Sequence, residues 1–307
     1  MKKSFAICYH YVNPLVNGYP LIHGITPNKL EEDIEFFKSK TRISTPDAIF
    51  SFNKNYSEND FLKPSVILTF DDGLKDHFKF VLPILLKNKI QASFFVPTGI
   101  FEKKVLQVQK IQFILANTTN KSKILNDLNC YSREHKLDEI SNDSIPNHRY
   151  DDFNTRKIKW TLQRGFTFEH RTKLIDLLFS KYVTSDEESF GSDIYMSIEE
   201  VQELKNTGMN IGLHSHNHFH LTDLSDDVLH AEILKSKIFF EKKGIFCQSF
   251  SYPFGDRDNR IEKIIENTGL TKAFTIVPKF FDPKKVNRFA IPRFDANDTL
   301  FLMNRNW

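Results

Sequence analysis

Cysteine is nearly missing from this sequence. Its 307 residues include three, Cys8, Cys130 and Cys247, far apart and without a CxxC spacing. An odd, scattered set argues against a disulfide scaffold and suits a reducing compartment. Long apolar runs are missing too, since no stretch approaches the roughly 18 to 20 residues that a membrane span needs. A charge of one sign is lacking as well: 42 Lys and Arg stand against 39 Asp and Glu, for a formal net charge of +3. Nothing there marks a nucleic-acid partner. The opening "MKKSFAICYHYVNP" carries the lysines of a signal peptide, but Tyr9, His10 and Tyr11 break its apolar run before any small-residue cleavage site. The expected location is cytoplasmic.

What is present is a chain with 40% hydrophobic residues, enough for one large core or two small ones in a soluble globular protein. The 30 phenylalanines are read as compositional bias rather than as a cofactor box. In "TPNKLEEDIEFFKSK", Thr26 caps, Pro27 takes the first helical position, and Leu30, Ile34 and Phe37 fall on one face. In "SIEEVQELKNTG", Ser197 and Glu200 form a capping box and Gly208 supplies a left-handed stop. A third helix follows Ser225, with Val228, Leu229, Ile233 and Leu234 as its stripe. Between helices come short apolar segments, "FAICYHYV", "SVILTF", "ASFFVP", "MNIGLH", "FCQSFSYP" and "TKAFTIVP". Continuous apolar runs of this kind predict parallel strands covered on both faces. The alternation gives an α/β class, closed as a barrel or as a doubly wound sheet.

One region breaks the rhythm. Residues 102–195 read as helical and polar, with a charged loop "REHKLDEISNDSIPNHRYDD" inside them. The expected division is therefore 1–101 and 196–307 as the α/β body and 102–195 as a helical insertion or lid, with Trp160 and the Phe-rich helices forming the insertion's core.

Three strand ends carry polar groups that an apolar strand does not need. "VILTF" runs into Asp71, Asp72 and Gly73, "MNIGL" into "HSHNH" at 214–218, and "FCQSFS" into Tyr252, Pro253, Phe254 and Gly255. In parallel α/β folds such ends open onto one functional face. His214 and His218 can converge on one ion if the backbone makes a single turn, and a carboxylate from another strand end completes a His₂-carboxylate set with an open position. That donor set suits Zn²⁺, with Co²⁺ or Ni²⁺ as alternatives. Adjacent aspartates point in different directions, so one can bind metal while its neighbour acts as base.

These residues resemble the polysaccharide deacetylases of the NodB-homology type, carbohydrate esterase family 4. "TFDDG" is similar to the family's first motif, "HSHNH" to its second and "SYPFG" to its third, with a weaker likeness in "CYHYV". The resemblance implies a distorted (β/α) barrel of the NodB-homology type carrying a helical insertion. It implies that Asp72, His214 and His218 bind a divalent metal and that Asp71 is the base. It also implies that Tyr252, Pro253, Phe254 and Gly255 meet the substrate, with a backbone N–H of that turn at the oxyanion. The implied reaction is hydrolysis of an N-acetyl amide on a sugar or glycan precursor, in building a surface polysaccharide or lipopolysaccharide. Peripheral membrane contact is compatible with such a precursor.

The pattern is departed from in two places. Where much of the family has an arginine in the third motif, this chain has Ser251, and Arg293 in "AIPRFD" is the candidate replacement beside Asp71. No histidine follows His230, so the usual late general acid is missing and His10 is the candidate donor. A structural histidine is the competing reading of His10, and a structural ion pair that of Arg293. His216 and His220 are spare histidines, and His77 is placed on a helix surface. Two other functions fit the same motifs: a non-catalytic glycan-binding relative, and an amidohydrolase of the same fold acting on a small non-sugar amide.

Overall fold

Apolar runs buried on both faces become a parallel sheet when helices cover one side and strands curl around the other. The structure, a computed structural model, describes residues 4–13, 22, 24–50, 64–118, 120–138, 141–146 and 151–304. Eight strands among them form one sheet: β1 (Phe5–Tyr9), β2 (Arg42–Ile43), β3 (Ser65–Asp71), β4 (Ser93–Val96), β5 (Asn210–Leu213), β6 (Ser249–Ser251), β7 (Lys272–Phe274) and β8 (Phe294–Asp295). Their order is β7-β6-β5-β4-β3-β1-β8, with β2 beside β3. Every strand pairing is parallel.

The sheet curls because one late segment touches both ends of it. Ile291 bridges Phe274 of β7 in parallel, and its amide and carbonyl bond to Ala273 and Thr275. Three residues on, Phe294 pairs with Ile7 of β1. The result is a curled, barrel-like (β/α) sheet.

Alternation along the strands sorts side chains between two environments. Ala6, Ile67, Phe95, Phe274 and Ile291 pack with Ile49, Phe50 and Phe281 in one apolar cluster. On the other face Phe5 meets Phe37 of the helix Pro27–Lys40, and Phe70 stacks between Tyr9 and Phe94. Gly212 in β5 is required by close approach, since a Cβ there would lie 2.4 Å from the Phe95 ring.

The helix Pro27–Lys40 is capped by Thr26 and buries Leu30, Ile34 and Phe37, and Ile198–Asn206 opens with the Ser197/Glu200 capping box. In Asp226–Glu241 the buried stripe is Leu229, Glu232, Ile233, Ser236 and Phe240. Val228 instead faces solvent.

The chain divides into two compact units, one of Met1–Pro14, Gly24–Glu102 and Ser192–Trp307, the other of Leu15–His23 and Lys103–Gly191. The second unit contains the helices Gln107–Asn117, Lys121–Glu134, Phe153–Trp160 and Phe168–Tyr182. Its core includes Phe113, Ile114, Ile124, Leu128, Ile158, Ile175 and Phe179. Trp160 is half-buried, and Phe153 and Phe168 are exposed. Residues 139–140 and 147–150 of the charged loop lie outside the described residues. Among the described residues no helix is long and apolar enough to cross a membrane.

Candidate active site

The strand ends converge as the motif spacing predicts. β3 delivers Asp71 in extended conformation, and Asp72 then turns at φ 78° before Gly73 at φ 67°. A non-glycine residue at positive φ costs energy and is held there by its surroundings. The turn aims the two adjacent carboxylates at different partners.

Asp72 faces the histidine loop. Its Oδ1 lies 3.4 Å from His214 Nε2 and 3.4 Å from His218 Nε2, and all three side chains are buried. His214 donates Nδ1–H to the carbonyl of Ser251 at 2.7 Å, which leaves Nε2 pointing at the carboxylate. The loop owes its shape to fixed hydrogen bonds. Buried Glu232 accepts the amides of His216 and Asn217 at 3.2 and 2.8 Å, and Ser215 Oγ accepts the His218 amide at 3.0 Å. Ser215 and His218 both sit at positive φ, so the return of the chain that brings His218 back to His214 is built in. Burial alone would raise the Asp72 carboxyl, but the His214 and His218 imidazoles beside it outweigh that effect and hold the group well below the usual range.

Asp71 faces inward. Arg293 donates Nη1–H to Oδ1 at 2.8 Å and Nη2–H to Oδ2 at 2.7 Å. Ser251 Oγ–H adds a bond to Oδ2 at 2.8 Å, and the Cys8 thiol adds one at 3.5 Å. Arg293 is itself held by Thr69 Oγ1, Ser251 Oγ and the carbonyl of Thr275. Burial pushes the Asp71 acid upward, but Arg293 and then His214 dominate, and the carboxyl lies below its ordinary range. His10 follows β1, and its ring nitrogens lie 3.9 and 4.0 Å from Cys8 Sγ. Donor atoms of Cys8, His10 and Asp71 lie within 4.8 Å of one another.

The turn after β6 splits in its exposure. Tyr252 is 1% exposed, and its hydroxyl donates to the carbonyl of Phe289 at 2.8 Å. Pro253 is buried. Both side chains are packed into the body of the protein. Phe254 and Gly255 are half-buried. Phe254 adopts φ 57°, with His220 stacked on it at 3.8 Å and His218 edge-on at 4.8 Å. The amides of Tyr252, Gly255 and Asp256 bond to carbonyls of Phe274, Tyr252 and Pro253.

The spare histidines have structural partners. His216 bridges Thr98 Oγ1 at 2.8 Å and Glu102 Oε1 at 3.0 Å, and His220 pairs with Asp256 at 2.7 Å. His77 corrects the expectation of a helix surface: it is fully buried and reaches the carbonyl of His10. Neither Cys8 nor the Ser251 hydroxyl was singled out as a partner of Asp71. The period of two along β1 was the available signal for Cys8, because it shares a face with His10.

Known proteins carry the same arrangement of strands. The Streptococcus pyogenes deacetylase PplD, solved in complex with acetate, aligns over 99% of both chains at 15% identity with a TM-score of 0.61. IcaB from Ammonifex degensii aligns over 99% of this chain and 96% of its own at 15% identity, TM-score 0.61. A de-N-acetylase from Aggregatibacter actinomycetemcomitans aligns over 98% and 100% at 12% identity, TM-score 0.57. At such identities the likeness is one of fold. No curated protein sequence matches the chain. A model of the polysaccharide deacetylase family does match, over residues 58–144 and 180–273. Those stretches span more than half of the chain and include all three strand-end motifs, and on that ground the chain belongs to the polysaccharide deacetylases.

Proposed function

We propose that the chain is a metal-dependent hydrolase that removes an N-acetyl group from a sugar during construction of a surface polysaccharide or lipopolysaccharide. The observation that carries this reading is the convergence of Asp72, His214 and His218 beside an Asp71 clamped by Arg293.

The donor set fits a divalent ion. His214 has given its Nδ1–H to Ser251, so in the neutral imidazole Nε2 is an acceptor facing an anionic oxygen at 3.4 Å. Asp72, His214 and His218 would hold such a cation, and the Ser251 carbonyl is the kind of outer partner that orients a ligating histidine. Zn²⁺ is the ion we assign, with Co²⁺ or Ni²⁺ as alternatives. When bound, such an ion supplies Lewis acidity, polarising a carbonyl and lowering the pKa of a water toward ~7.

The chain's own groups divide the remaining work. Asp71 is the base that accepts the proton of the attacking water, with Arg293 and Ser251 fixing its orientation. Of the turn's amides, those of Tyr252, Gly255 and Asp256 are engaged in the main chain and Pro253 has none, which points to Phe254 N–H as the oxyanion donor. His10 gives a proton to the departing amine. The helical unit is read as an insertion in the deacetylase body, and the location as cytoplasmic. Cell fractionation tests the location.

Metal analysis of purified protein beside His214→Ala, followed by acetate release from a panel of N-acetylated oligosaccharides, tests the reading. About one divalent ion per wild-type chain, absent from the variant and accompanied by turnover, supports it. Bound metal with no acetate released from any member overturns the deacetylase assignment.

A further inference from the structure

His77 occupies a position where a plain apolar residue would be cheaper. It is 0% exposed, packed against Phe70 at 5.5 Å and Phe94 at 5.8 Å between ring centroids. Its Nδ1 is buried and makes no hydrogen bond, and a buried polar atom left unsatisfied is destabilising. The other nitrogen has a defined partner: Nε2–H donates to the main-chain carbonyl of His10 at 2.8 Å. Burial lowers the imidazole to about 4, so near neutral pH it is uncharged and carries its single hydrogen toward that carbonyl.

The local backbone is adapted to this bond. His77 opens a π-helical turn, His77–Val81, before the helix Leu82–Asn88 begins. Such turns recur at functional sites and change which side chains face inward. The bond reaches the chain one residue past the end of β1, at His10, whose imidazole lies beside Cys8 and Asp71. A carbonyl held from outside fixes the peptide plane after His10, and with it the direction of the His10 side chain.

We propose that His77 is a positioning residue for His10, its N–H anchoring the His10 carbonyl so that the His10 imidazole stays directed at Asp71 and the departing amine. The proposal rests on the reading of His10 as proton donor. In amide hydrolysis the carbonyl C–N bond breaks, the acyl carbon keeps the incoming oxygen, and the nitrogen leaves with a proton that the acid must supply. A p-nitrophenolate leaves as an anion and takes no proton. Loss of a positioned acid therefore slows the amide and spares the aryl ester, whereas damage to the pocket slows both.

The test measures acetate release from N-acetylchitotetraose and hydrolysis of p-nitrophenyl acetate by wild type, His77→Leu, His77→Gln and His10→Ala, all metal-loaded and checked by thermal melting. His77→Leu is expected to lower kcat on the amide by about tenfold or more, with KM and ester turnover each within about twofold. His77→Gln, which keeps a side-chain N–H donor, is expected to recover most of the loss. In a His10→Ala background His77→Leu should add nothing. Equal losses on both substrates, or losses that multiply in the double variant, overturn the proposal. If His10→Ala lowers amide turnover while His77→Leu does not, the positioning role alone fails. If His10→Ala is indifferent, or wild type releases no acetate, the reading beneath it fails and takes the proposal with it.

Discussion

Arg293 grips both oxygens of Asp71, at 2.8 and 2.7 Å, where the two side chains are 0% and 2% exposed. A parallel two-bond fork of this kind fixes the carboxylate plane as well as its charge. The guanidinium lies 5.8 and 5.9 Å from the ring centroids of Phe95 and Phe274, so apolar rings enclose it on the sides away from its acid.

Removing the arginine leaves a buried charge without its partner. Arg293→Met is expected to cost about 3–5 kcal/mol of folding stability, measured by urea unfolding. Adding Asp71→Asn should recover much of that loss, since the uncompensated charge is then gone. Arg293→Lys should fall short of wild type, because an ammonium cannot make the fork.

Metal and stability are linked through Asp72, His214 and His218. An ion that binds only the folded state adds about 2.7 kcal/mol at 100 times its Kd. Zinc should therefore raise the Tm of the chelator-treated protein, and EDTA should reverse the rise. Asp72→Asn and His214→Ala should show no such rise, whereas Asp71→Asn should keep it while losing acetate release. A zinc response that survives His214→Ala would remove the ion from this site.

Asp76 supplies a pH signature away from the donor set. Burial pushes its carboxyl up to about 6, against the smaller opposing effects of Asn13 and Lys79. The folded-state value is raised, so the stabilising contribution is complete below the unfolded value near ~4 and is lost as the pH rises through about 6. Asp76→Asn should thus melt higher than wild type at pH 7 to 8, with the gap closing toward about pH 4. A gap independent of pH would rule out this account.

Gly212 is a packing glycine. A methyl group there meets the Phe95 ring at 2.4 Å and Ser249 Oγ at 2.8 Å. Overfilled cores lose about 1–3 kcal/mol, so Gly212→Ala should lower the urea midpoint by a corresponding amount. Combining it with Phe95→Leu should cost less than the two changes summed, because the second makes room for the first.

The strands that carry the site were legible because apolar runs such as "SVILTF" are too short to be anything but buried core segments. The two-residue strands β2 and β8 are too short to leave a pattern, and Arg293 was found through its chemistry and not through periodicity. Asp72, His214 and His218 could be picked out because three rare side chains recur at strand ends, although the sequence alone does not reveal the strained turns that join them. His77 was misplaced for a physical reason: a π turn shifts the register on which a 3.6-residue stripe depends. The anchor of Tyr252 was not legible, because its hydroxyl finds the Phe289 carbonyl, a partner 37 residues away that no local pattern encodes.

The segment that ties β7 to β1 is also the segment that presents Arg293 to Asp71. Detaching residues 291–295 from the sheet therefore unhooks the guanidinium in the same motion, with most helices and strands still intact. Catalytic competence is expected to follow the local opening free energy of that tie, as amide hydrogen exchange at Ile291 would report it, and not the global stability of the protein.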